Sequence, residues 1–470
     1  MVFSSPGFLF LFFPLFYLLY FVLPRGWRNS YILLASFVFY VLGAGALTAV
    51  ALVLLLANWL LAGVIGARRE AQPLLARRLL AGGIALNLLP LVFFKYLLFL
   101  AQLVQDVSGW QATVPVRELG IVLPLGISFY VFHFLSYLLD VHAGRIAPER
   151  SLQKFAIYIF LFPHLIAGPV VRYAEVREQL HIRHRATLGR ALFWGLLIFI
   201  VGLSKKLLIA DPLGVVADGI YRPGAELSTY SAWLGAICYT FQIYFDFSGY
   251  TDMAIGLARI MGFRFPRNFN RPYAAHSITE FWQRWHMTLS RFFRDYVYIP
   301  LGGNRGSPWR TYRNLMVVFV LCALWHGAAY TFLAWGVGHG LLLVLERAGW
   351  LKLDKLRLGS LPVFVLATLL WVPFRATSLE QAGRVLHAMF GGAPLSLPHD
   401  RMLADPKVMF VLALAALVCL LPDRPLRRLY QHSFRLGATP AMTVYCLALY
   451  LLSCMAVVEG GFNPFIYFQF

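Results

Sequence analysis

Charge is scarce in this sequence: 13% of its 470 residues are charged, about half the share found in a soluble domain. That shortage excludes an ordinary water-soluble enzyme, and 60% apolar residues fill the space instead. Barrel strands are excluded too, since they alternate polar and apolar residues. Here the apolar residues run in unbroken blocks, among them Phe8–Leu23, Leu47–Ile65, Leu79–Leu100 and Leu188–Ile200. Blocks of roughly 17–25 residues suit helices that cross a hydrocarbon core about 30 Å thick. The pattern predicts an all-α integral membrane protein, a polytopic helical bundle of ten to twelve spans in a single domain over residues 1–470. Span centres fall near residues 16, 37, 56, 90, 129, 200, 244, 322, 339, 367, 414 and 449.

Other absences narrow the function. No Lys or Arg precedes Phe8–Leu23, so the basic region that opens a cleaved signal peptide is missing and a retained first helix is expected. The five cysteines lie in apolar stretches without CxxC spacing, which favours small buried residues over a disulfide framework or a metal site. There is no Walker loop, GxSxG, HExxH or Rossmann fingerprint, so no nucleotide fold, serine hydrolase or zincin is indicated. The turn Leu301–Asn304 resembles a phosphate cradle only loosely. No soluble domain, low-complexity tail or internal repeat is visible.

Charge of one sign dominates what little there is, with a net +20. The basic residues sit in short clusters between apolar blocks: Arg25/Arg28, Arg68/Arg69/Arg77/Arg78, Arg172–Arg190, Arg259–Arg313, Arg347–Arg357 and Arg424–Arg435. Alternate connections, Asp106–Glu118 and Asp211–Glu226, are neutral or acidic. This is the positive-inside pattern: basic loops face the cytoplasm and anionic lipid. It places the N-terminal end of the first helix outward, and no nucleic acid is needed to explain the charge.

Two segments are irregular. Phe155–Val171 contains Pro163, His164, Gly168 and Pro169 and reads as a re-entrant hairpin, since broken backbone at membrane depth survives only under protein or beside a watery cavity. Arg259–Arg313 carries ten arginines against two acids, Glu280 and Asp295. Within it Ser277–Tyr298 reads as one interfacial helix dense in aromatics. Ser277 with Glu280 makes a capping-box start, and Glu280 with Arg284 a favourable i, i+4 pair.

Few residues could do chemistry. His326 lies in Leu321–Trp335, where almost nothing else ionises, and an ionisable residue inside a span is a functional candidate. An imidazole titrates near neutrality and so serves as a base; the small Gly327–Ala329 stretch beside it leaves room for a substrate. A histidine that merely bonds a neighbouring helix fits the residues equally well. His286, in Phe281-Trp-Gln-Arg-Trp-His286, is by composition more often structural. His286 and His326 lack zinc-like spacing. His339, in Trp335-Gly-Val-Gly-His-Gly340, sits among glycines that suggest close helix packing. Asp246 and Asp252 are membrane-depth acids, read either as partners of arginines in the 259–313 region or as a proton relay.

The strings Met1–Ser5, Leu123-Pro-Leu-Gly-Ile-Ser-Phe-Tyr130, Phe162–Arg172, Tyr244-Phe-Asp-Phe-Ser-Gly-Tyr250, Asn268-Phe-Asn-Arg-Pro-Tyr273, Phe281–His286, Arg294–Arg305, Leu324-Trp-His-Gly-Ala328 and Pro464–Phe470 occur in this order. In them the chain resembles the membrane-bound O-acyltransferases, and among these the alginate O-acetylation group. His133 and His164 depart from the family pattern. The resemblance implies helices, some re-entrant or interfacial, around a central tunnel open to both faces. It implies His326 as the essential intramembrane histidine and His286 as the second motif histidine.

It further implies a multi-pass protein of the bacterial inner membrane that draws acetyl from a cytoplasmic donor. That donor would be acetyl-CoA, attracted to the basic 259–313 surface; no bound cofactor or metal is implied. A periplasmic acetyl-transferring partner would complete the reaction on an exported polysaccharide, alginate first. Cellulose, peptidoglycan and D-alanylated teichoic acid are alternatives. Rivals of another class are a proton-coupled transporter, which inverted repeats with paired broken helices would support, and a scaffold subunit of a secretion complex.

Overall fold

The computed structural model describes residues 2–109, 120–181, 188–398, 400–403, 405–421, 439–460 and 463–466. The basic cluster Arg424–Arg435 and the end of the Pro464–Phe470 string lie outside them. Among the described residues there is helix and irregular chain and no strand, and each of the twelve expected centres falls within a helix. Among the described residues, four helical stretches are long and apolar enough to cross a membrane: Arg25–Arg68, Pro73–Ser108, Ala191–Ile220 and Pro440–Glu459. Phe8–Val22, Leu361–Arg375 and Pro406–Leu420 are shorter apolar helices. Leu18, Leu34, Val53, Leu89 and Val444 are all more than half exposed. Exposed apolar residues on helices of this length fit contact with lipid.

The chain forms two compact units, one of residues 1–192 with 257–266, the other of 193–256 with 267–470. In the first, Asn58 and Asn87 are fully buried on neighbouring helices and exchange amide hydrogen bonds of 2.8 and 2.9 Å. Each also donates to a carbonyl one turn back on its own helix, that of Leu54 or Gly83. Gly83 is in contact with Leu61 and Leu138, so the pair is sealed by small and aliphatic neighbours. The irregular segment breaks the helix: Leu152–Phe160 ends at Leu161, one turn follows at Phe162–Leu165, and every residue of 155–171 is buried. Asn29 donates to the Leu180 carbonyl at 3.0 Å, and Gln153 to Ser30 at 2.9 Å. Arg69 and Arg177 line one groove. The basic ends of this unit therefore share a side, as positive-inside topology requires.

Thr229–Ile260 is a single 32-residue helix, and within the second unit its residues 229–256 pack on residues 193–204 through a glycine seam. A Cβ on Gly202 would stand 2.5 Å from the Gly249 carbonyl oxygen, one on Gly249 2.7 Å from that of Gly202, and one on Gly256 2.6 Å from that of Gly195. Backbones this close exclude any side chain between them. Beyond the seam, Lys206 is buried and bonds Asp246 at 2.8 Å and Asp211 at 2.7 Å. Lys205 reaches Asp252 at 2.5 Å. This corrects the expectation that Asp246 and Asp252 pair with arginines: the partners are adjacent lysines, in a π-turn at Lys205–Ala210 where the helix passes close enough to both acids.

A second correction concerns Ser277–Tyr298, which is not one helix. Ser277 does cap it, accepting from Glu280 N at 3.0 Å, and Glu280 pairs with Arg284 at 2.6 Å. The Glu280 carboxylate closes back on His276 N rather than Ser277 N. The helix stops at Arg284 and restarts at Met287.

Lys206→Met leaves the buried Asp246 carboxylate without its cation and is expected to cost about 3–5 kcal/mol. Asp252→Asn, whose pair is a quarter exposed, should cost under about 1 kcal/mol. Thermal unfolding in detergent checks both, and equal midpoints would show that the Lys206 pairs carry no stability.

Candidate active site

His326 is the last residue of the Pro308–His326 helix and 3% exposed. That helix starts beside Arg310 and Arg313, and sixteen residues at 1.5 Å each set His326 about 24 Å from the basic end. Gly327 then turns extended, and a Cβ there would stand 2.0 Å from the Phe332 ring. The return helix, Tyr330–Arg347, lies so close that a Cβ on Gly336 would be 2.5 Å from that of Ala323. The glycines around His339 thus serve helix packing, as their spacing suggested. Aromatic rings enclose His326: Trp325 at 4.8 Å between centroids, Trp335 at 5.1 Å and Phe374 at 5.4 Å.

The ring of His286 lies 6.5 Å from that of His326. Forty positions apart in sequence, the two imidazoles share one buried space. His286 stands where the broken helix restarts, with φ 41° and ψ 52°. A non-glycine residue there is strained by roughly 1–3 kcal/mol and persists only where its surroundings over-determine it. They do. Met287 N bonds the Asn268 carbonyl at 2.8 Å, and the side-chain oxygen of Asn268 accepts from Thr288 N at 3.2 Å and Thr288 Oγ1 at 2.8 Å. The same oxygen lies 3.0 Å from His286 Nδ1.

That contact fixes the tautomer. The Thr288 N–H is an obligate donor, so the Asn268 atom it meets is the oxygen, and His286 Nδ1 must carry the hydrogen. Nε2 is then the basic nitrogen of the ring, the one able to receive a proton. Phe247, 4.8 Å from His286, and Trp325, 5.8 Å, wall its ring.

His339 is held differently. Trp282 Nε1 donates to its Nδ1 at 3.3 Å, and Trp335 lies 5.3 Å away on the His326 side. An indole separates the two histidines, so His339 is built into the wall. His133 and His164 belong to the first unit, where their rings are 4.8 Å apart. Asp246 accepts from Ile466 N at 3.0 Å besides pairing with Lys206. Arg375 follows Phe374, and with Lys206, Asp218, Tyr239, Gln242, Asn463, Pro464 and Ile466 it lines a polar cavity of about 40 Å³.

Asn268 and Lys206 escaped the sequence reading. Asn268 carried a signal as a polar residue amid the aromatics of its motif, and Lys205-Lys206 interrupts an apolar run, which by itself marks a membrane-depth site. Trp335 and Phe374 offered no signal, being two aromatics among many.

Comparison with known proteins adds to this geometry. Residues 145–350 match the MBOAT, membrane-bound O-acyltransferase family. A probable alginate O-acetylase of Azotobacter vinelandii is 39% identical over the whole of both chains. The chain belongs to this acyltransferase family. It is therefore a membrane-embedded O-acyltransferase. A probable alginate O-acetylase of Pseudomonas aeruginosa is 44% identical over 83% of this chain and 75% of its own. A peptidoglycan O-acetyltransferase of Helicobacter pylori is 36% identical over 85% of this chain and 81% of its own.

Asn268→Leu deletes the acceptor that orients His286. Acyl transfer at matched membrane abundance is expected to fall by roughly 10²–10⁴-fold, the range of a lost general base, while Asn268→Asp, which keeps an acceptor oxygen, recovers part of the rate. A wild-type rate in Asn268→Leu would remove Asn268 from the site.

Proposed function

We propose that this acyltransferase moves an acetyl group from a cytoplasmic donor, acetyl-CoA, across the bacterial inner membrane for O-acetylation of an exported polysaccharide, with His326 and His286 as its catalytic residues. The observation that carries the reading is the meeting of two imidazoles, 6.5 Å apart, in a buried aromatic space. The basic 259–313 region lies where the anionic donor would approach, and His326 stands at the far end of its helix.

In this mechanism His326 takes the proton of the acceptor hydroxyl as its oxygen attacks the thioester carbon. The C–S bond breaks, the ester forms, and the leaving thiolate recovers the proton. His286, with Nδ1–H committed to Asn268, presents an acceptor nitrogen, which suits relaying a proton rather than donating to an oxyanion. The aromatic rings around His326 would keep water from the thioester. A periplasmic partner would complete the transfer, since no described segment forms a domain that could bind a polymer.

Alginate is the preferred acceptor, supported by relatives of that name that span the full chain. Peptidoglycan is the second reading, supported by the Helicobacter pylori relative.

The test is the acetyl ester content of exported polysaccharide in cells with wild-type protein, His326→Ala or no copy. His326→Ala at matched abundance is expected to lose ester as fully as the deletion, and normal ester in that strain would sink the catalytic role. Ester unchanged in both strains would move the activity to another acceptor.

A further inference from the structure

The first unit contains a groove of about 450 Å³ that the acyl-transfer reading does not use. Three segments meet there: the end of Thr48–Arg68, the turn after Ile127–His142, and Arg177 at the start of a short 3₁₀ turn. They bring Arg69, Arg145 and Arg177 to one lining, against a single lining carboxylate, Glu70. Each guanidinium leans on an acid: Arg69 on Glu70 at 2.9 Å, Arg145 on Asp140 at 2.9 Å, and Arg177 on Glu178 at 3.2 Å. All three keep between a third and just over half of their surface exposed.

The groove is shaped, not merely charged. Gly144 has φ 72°, and a Cβ there would stand 2.3 Å from Arg69 Nη1. Its absence lets the Arg69 guanidinium lie against the backbone, which fixes the direction of its fork. A planar guanidinium matches the oxygens of a phosphate two at a time.

We propose that this groove is a phosphate-binding site, and that it takes the headgroup of an anionic phospholipid. Its position argues for lipid over a soluble phosphate. Arg69 directly follows a helix that ends a membrane-crossing stretch. Val64 and Leu60, one and two turns back along that helix, are 45% and 59% exposed and offer an apolar track for acyl chains. Basic pockets at the cytoplasmic ends of spans are where anionic headgroups bind.

The experiment measures binding of fluorescent phosphatidylglycerol to the full-length protein in phosphatidylcholine nanodiscs. Wild type is compared with Arg69→Gln/Arg177→Gln and with Arg77→Gln/Arg78→Gln, which removes equal charge from exposed positions off the groove. The groove variant is expected to lose about tenfold or more in affinity, with the control near wild type. Inorganic phosphate and coenzyme A are titrated in parallel. If they weaken in the groove variant while lipid binding holds, the phosphate site stands and the lipid assignment falls. Equal losses in both variants, or no loss in either, overturn the proposal. Should the double variant fail to fold, Arg177→Gln alone, at a side chain 44% exposed, is read the same way.

Discussion

A polar group at membrane depth finds no water, so its partners must come from the protein itself, and much of this architecture follows from that demand. Lys206 illustrates it. With 2% of its side chain exposed, its ammonium group is stable only because Asp246 and Asp211 both reach it, and the Asp246 contact ties two long helices together. Asp246 spends its second oxygen on Ile466 N, and Lys206 also donates to the Pro464 carbonyl at 3.3 Å. The same demand pairs Asn58 with Asn87 and buries the whole of 155–171, where the helix is broken.

The candidate site turns the demand into chemistry. His286 and His339 are both buried imidazoles within reach of the same aromatic wall, but their partners set them to different states. Asn268 accepts from one Nδ1, whereas Trp282 donates to the other. A tautomer is thus chosen for each ring by its neighbour, and only His286 shares its space with His326. The strained backbone at His286 serves this arrangement, because a continuous helix would carry the imidazole round to another face.

Much of this was legible in the sequence. Apolar blocks placed each expected centre within a helix, since a helix in lipid has no other way to satisfy its backbone. Ser277 and Glu280 announced a helix start, and prolines and glycines announced the break after Leu161. The break at His286 was hidden, because Trp285, His286 and Met287 carry no local signal against helix and the cause lies in Asn268, eighteen positions upstream. The partners of Asp246 and Asp252 were misread for a related reason. Arginine was abundant nearby in sequence, but lysines on another helix were nearer in space. The pairing of His286 with His326 came from family likeness, and spacing alone could not have given it.

The glycine seam between Leu188–Ser204 and Thr229–Ile260 repeats at intervals of seven on both helices, Gly195 with Gly202 and Gly249 with Gly256. Two left-over methyl groups would be enough to force these backbones apart. Drift in this chain is therefore uneven by construction. Lipid-facing leucines and valines are exchangeable for one another at little loss, while Gly202, Gly249 and Gly256 admit no larger residue without moving a helix.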